Sequence, residues 1–131
     1  MTRQLKNEIN TALVEFTPDG SNTAHTAWVF PPEFLGFQGH FPGNPVCPGV
    51  CVMLAQLEAA ARITGTELEL LEIENTKFTW PIFPGRRVEG VVKATPAGEG
   101  VWRVQADLKR GERRIAKLLL LARESKKRNT P

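Results

Sequence analysis

Between Pro48 and Gly65 the chain runs GVCVMLAQLEAAARIT, a stretch whose only charges are Glu58 and Arg62. Val50, Val52, Met53, Leu54, Ala55, Leu57, Ala59, Ala60, Ala61 and Ile63 leave little polar surface. A helix that is apolar nearly all round is one that other elements must surround. Pro48 suits the first helical position, where its missing N–H costs nothing, and Gly65 suits the stop. The predicted helix therefore spans Pro48 to Thr64 and forms the centre of the molecule.

What can surround it is read from the flanks. Thr11 to Phe16 and Thr23 to Phe30 are predicted strands, joined as a hairpin by Pro18-Asp19-Gly20, because Asp-Gly tolerates positive φ. After the helix, Leu68 to Trp80, Arg86 to Thr95, Gly100 to Lys109 and Arg113 to Ala122 read as four more strands. Turns at Pro81 to Gly85, Pro96 to Gly100 and Arg110-Gly111 separate them, at the spacing of an antiparallel meander. Val101, Arg103, Gln105 and Asp107 carry the interleaved charge of strands with one wet face. The expected class is α+β, a sheet wrapped around one helix. At 131 residues the chain fits a single domain able to bury about two-thirds of its unfolded surface.

Charge and composition narrow the function. The net charge of +3 resides in the tail, where Arg123, Lys126, Lys127 and Arg128 oppose Glu124, so residues 1–122 sum to zero. The expected division is a domain over 1–122 and a basic tail over 123–131. A neutral body with a short basic tail argues against nucleic-acid binding, although such a tail could steer an acidic partner. No apolar run approaches the eighteen or so residues of a membrane span. The opening MTRQLKNEIN lacks the apolar core of a signal peptide, so the cytoplasm is the expected compartment. Cys47 and Cys51, with only His25 and His40 as imidazoles, are too few for a metal site and read better as small buried hydrophobes. No metal or cofactor is expected.

The chemistry is concentrated ahead of the helix. Pro31, Pro32, Pro42, Pro45 and Pro48, with Gly36, Gly39 and Gly43, exclude regular structure from Pro31 to Pro48. Phe34, Phe37 and Phe41 favour an ordered loop. His40 sits in this frame just before a helix start that offers free N–H groups and a positive dipole end. A base beside an oxyanion-stabilising helix terminus suits proton abstraction next to a carbonyl.

The segment GHFPGNPVCPGV, from Gly39 to Val50, resembles the β-hydroxyacyl-[acyl carrier protein] dehydratases of the hot-dog superfamily. IENTKFTWPIFPG, from Ile73 to Gly85, is similar to the strand and turn those enzymes place after the helix. The resemblance covers roughly Phe30 to Ala122. It implies a hot-dog fold, paired with a second copy edge to edge, with an acyl tunnel at the dimer interface. It further implies that His40 removes the α-proton of a (3R)-hydroxyacyl thioester. The Gly49 N–H would bind the thioester carbonyl and the Val46 carbonyl would orient the imidazole. The substrate would arrive on acyl carrier protein or coenzyme A, in metabolism of fatty-acid or polyketide type.

One departure stands out. The family places Glu or Asp fourteen residues after the histidine and Gln four residues later; here those positions hold Leu54 and Glu58. Four helical residues shift the acid by about 6 Å and rotate it by about 40°, so Glu58 leans back toward the vacated place. Glu58 also precedes Arg62 by four residues, the favourable order for an intrahelical ion pair. Glu58 is thus either a relocated catalytic acid, with Leu54 lining the substrate site, or a structural residue. Lys77, Arg86 and Arg87 are either exposed hairpin charges or a ring at the tunnel mouth. Three functions compete: a dehydratase with an unusual acid; a non-catalytic acyl-thioester-binding subunit, or the partner of a paralogue that brings the carboxylate; and a thioesterase on the same fold.

Overall fold

The computed structural model describes residues 1–38 and 46–125, leaving His40 and Phe41 outside the described residues. Two helices and six strands appear in the order α1 (Arg3–Ala12), β1 (Leu13–Pro18), β2 (Thr23–Trp28), α2 (Gly49–Thr64), β3 (Leu68–Phe78), β4 (Val88–Gly98), β5 (Val101–Arg110) and β6 (Arg113–Glu124). A short 3-10 turn, Leu35–Phe37, lies between β2 and α2.

The six strands form one antiparallel sheet in the order β1-β2-β4-β5-β6-β3. Ala94, Val104 and Leu120 are among its fully buried residues, on the side where α2 and the core lie. The α+β class and the sheet wrapped on one helix hold. The expected four-strand meander does not: only β4, β5 and β6 follow one another, while β3 pairs with β6 at the far edge. Turn chemistry identifies a strand end but says nothing about which strand lies alongside.

Helix α1 is not among the elements expected from the sequence, where MTRQLKNEIN is read only as polar and without the apolar core of a signal peptide. Thr2 caps it, its hydroxyl accepting from the Leu5 N–H at 3.1 Å. Leu5, Ile9 and Ala12 fall on one face, with Ile9 and Ala12 fully buried. The polar residues between them dominate the composition and mask the i, i+4, i+7 spacing. Because the helix runs through Ala12, β1 begins at Leu13 rather than Thr11.

Helix α2 ends as expected, with Gly65 at φ 76° and its N–H donating to the Ala61 carbonyl at 2.9 Å. Its start differs by one residue. Pro48 is the N-cap in an extended conformation, and its carbonyl accepts the Val52 N–H at 3.1 Å. β6 extends to Glu124, with Arg123 opposite Glu69 and Leu68 opposite Glu124, so the domain runs past the expected boundary at 122. The approach to the site is built on aromatics. Trp28 stacks on Phe30, Phe30 meets Phe34 at 4.9 Å between centroids, and Phe34 meets Phe37 edge-on at 5.4 Å. All four are buried, which orders the described part of the proline-rich loop.

The expectation that α2 is surrounded on every side fails on one flank. Val50 is 55% exposed, and Met53 and Leu54 are half-buried. Alongside, Leu70, Ile73 and Phe78 of edge strand β3 pair with the buried Ala122, Leu120 and Ala116. Directly paired residues project to the same face, so these apolar side chains lie on the helix side of the sheet. Ile73 and Phe78 are nevertheless 47% and 46% exposed.

Candidate active site at the start of helix α2

Helix α2 opens without a side-chain cap and without an acid in its first turn. Among the described residues the N–H groups of Gly49, Val50 and Cys51 have no acceptor, which is the condition of a helix terminus ready for an anion. A cavity of about 470 Å³ lies beside this terminus. Val46, Gly49, Val52, Phe78, Trp80 and Ile115 are among its walls. The Cys47 N–H donates to the Ile82 carbonyl at 2.9 Å, tying the approach to α2 to the turn after β3.

Gly49 has a steric reason to be glycine. A Cβ there would come within 3.2 Å of the Phe78 ring, so its absence lets the ring close over the first turn of the helix. Val46 and Gly49, both named from the sequence, line one cavity. Phe78 and Trp80 complete it, although the sequence reading singled out neither. Their signal was an aromatic pair flanking Thr79, just before Pro81, within the Ile73 to Gly85 block.

The two expected helix residues separate. Leu54 is half-buried and packs against the core beside the open flank. Glu58 is 9% exposed and turns toward α1, where its Oε1 accepts from Asn10 Nδ2 at 2.9 Å. The expected ion pair with Arg62 is replaced by a relay: Arg62 Nη2 donates to Asn10 Oδ1 at 3.1 Å. Arg62 is also placed over the Phe16 ring at 5.7 Å. Arg87 is likewise engaged, pairing with Glu15 of β1 and with Glu89 at 3.5 Å. His25 reaches Asp19 at 3.1 Å across the first hairpin.

Cys47 and Cys51 are both buried, as expected of small hydrophobes. They also touch. The hydrogen bond from the Cys47 thiol holds the Cys51 thiol down to about 7, against desolvation, while the same bond pushes Cys47 up. The first turn of α2 thus places a polarised thiol pair beneath the candidate site.

One antiparallel sheet of six strands against a long helix is the hot-dog fold. Residues 17–112 match the ApeI-like family, described as ApeI dehydratase, and the chain belongs to that family. It is 35% identical over 101 residues to the 3-hydroxyacyl-[acyl-carrier-protein] dehydratase FabZ of Rhizobium etli, a match covering 70% of this chain and 63% of that protein. It is 36% identical over 77 residues to the FabZ of Anaeromyxobacter dehalogenans, covering 51% and 49%. The chain therefore spans about half to two-thirds of the length of these relatives. A solved structure with the same fold is the dehydratase heterocomplex ApeI:P from Xenorhabdus doucetiae, at TM-score 0.70 and 19% identity, covering 86% of this chain and 96% of that one.

Proposed function

We propose that this protein dehydrates (3R)-hydroxyacyl thioesters carried on a pantetheine arm, in acyl-chain metabolism of the fatty-acid type in the cytoplasm. The observation that carries this reading is the uncapped start of α2, with Gly49 open to an apolar cavity directly after the Gly39 to Pro45 segment. The thioester oxygen accepts from the Gly49 N–H, which stabilises the enolate formed when His40 removes the α-proton. Val46, on the wall of the same cavity, supplies the carbonyl that orients the imidazole. The C3–O bond then breaks, and the hydroxyl leaves as water with the proton returned by the His40 imidazolium. A double bond remains between C2 and C3.

No carboxylate lines the described cavity, and Glu58 is engaged by Asn10. His40 therefore acts as both base and acid. Purified protein should convert a 3-hydroxyacyl pantetheine thioester to the 2-enoyl product, with His40→Ala lowering turnover by about 10²- to 10⁴-fold. Turnover retained within about twofold in His40→Ala would end this reading.

The open flank of α2 and the apolar inner face of β3 support pairing with a second subunit along the β3 edge. A homodimer buries this flank and closes the acyl tunnel. A second reading follows from Leu54 and Glu58 together: a paralogue bearing the carboxylate supplies the acid in a heterodimer. The ApeI:P neighbour, itself a heterocomplex, favours it. Co-expression with such a paralogue would raise turnover above that of the chain alone; equal turnover would exclude it.

A further inference from the structure

One wall of the cavity, Trp80, carries a stacked cation. The Arg113 guanidinium lies over the Trp80 ring at 4.1 Å from its centroid, and Trp80 is itself a wall of the cavity that Gly49 opens onto. The N–H groups of Thr79 and Trp80 donate to the Ile115 carbonyl at 2.8 and 3.2 Å, joining the segment after β3 to β6, the strand that begins with Arg113. Among the described residues Arg113 makes no ion pair, whereas Arg87, Arg103 and Arg123 each hold a glutamate. Stacking fixes the plane of a guanidinium and leaves its N–H edge free for a planar or tetrahedral oxyanion.

We propose that Arg113, oriented by Trp80, binds the phosphate of the substrate's phosphopantetheine arm. This rests on the thioester reading above and adds a residue to it. The cavity has N–H donors for a neutral carbonyl at one end and apolar walls, one of which, Trp80, carries an arginine with no ion pair among the described residues. A pantetheine thioester matches that order, because the phosphate is the one charge on the arm, common to carrier protein and coenzyme A. Arginine rather than lysine suits it, since the guanidinium fork can meet two phosphate oxygens at once.

The test compares thioesters of phosphopantetheine and of phosphate-free pantetheine in wild type and Arg113→Gln. Wild type should favour the phosphorylated arm by roughly tenfold in kcat/KM, carried by KM, and R113Q should lose that preference with kcat on the phosphorylated substrate within about twofold. Persistence of the preference in R113Q overturns the proposal. Binding is read separately by quenching of Trp80 fluorescence with free phosphopantetheine, checked in Trp80→Phe. Loss of that affinity in R113Q supports the phosphate site even if no dehydration is found, so the two readings fail independently. If R113Q weakens only carrier-protein-linked substrate and leaves free phosphopantetheine binding intact, Arg113 meets an acidic protein surface instead and the phosphate assignment is wrong.

Discussion

Asn10 of α1 and Glu58 of α2 meet at 2.9 Å, and the same Asn10 amide accepts from Arg62 at 3.1 Å, so one neutral side chain mediates between a buried carboxylate and the arginine one helical turn further on. Glu58 is held by its own N-terminal helix. Asn10→Ala removes the donor and leaves a largely buried acid unsatisfied, which should cost about 1–3 kcal/mol in chemical denaturation. Glu58→Gln keeps an oxygen for Asn10 and should cost less than about 1 kcal/mol. Its dehydration rate should stay within about twofold of wild type, far from the loss expected of a general acid.

Gly49→Ala tests the helix start from the other side. Alanine is favourable in a first turn, and the Phe78 ring that its Cβ would meet at 3.2 Å is partly exposed and can shift. Stability should therefore change by less than about 1 kcal/mol, while the methyl and the displaced ring crowd the thioester carbonyl. A drop in kcat/KM of about tenfold or more, measured by steady-state kinetics, is the expected outcome.

Leu54→Glu places a carboxylate on the open flank of α2. Leu54 is half-buried, so the charge is not fully desolvated, and the substitution should be tolerated at a cost of about 1–3 kcal/mol. If the homodimer lacks an acid, turnover should rise by roughly tenfold or more. An unchanged rate in a folded variant would mean that the imidazole alone already meets the need for proton transfer.

The thiol pair predicts a pH signature. Thiolate absorbance should show one group titrating near pH 7 in the native protein, and Cys47→Ala should move that midpoint up because the hydrogen bond to Cys51 is gone. The sign for stability follows from linkage. Between about 7 and the ordinary thiol value of 9.0 the folded chain has released a proton that the unfolded chain still binds, so stability rises with pH across this window. Above it the order reverses, since Cys47 keeps its proton after the unfolded thiol has lost its own. Urea titrations of wild type and Cys47→Ala at pH 6.5 and 8.5 would register the difference as a rise present only in wild type.

How much of this was legible beforehand differs by residue. Helix α2, its glycine stop and most strand bodies came from periodicity and turn chemistry, which act within a few residues. The Gly39 to Val50 segment drew attention to one helix end, and Gly49 and Val46 line a cavity there. Helix α1 was missed although Thr2, Leu5, Ile9 and Ala12 carried its signal, because three apolar positions among polar ones are a faint stripe until α2 gives them a surface to bury against.

Local terms follow from the sequence alone: an apolar helix, strands enough to wrap it, and Leu54 and Glu58 one turn apart on that helix. Tertiary structure decided the pairings. Whether Glu58 answers to Arg62 or to a residue 48 positions away, whether β3 lies beside β4 or β6, and whether Arg113 finds Trp80 depend on contacts between distant segments. Packing between distant segments selects such contacts, and no short window of sequence records that selection.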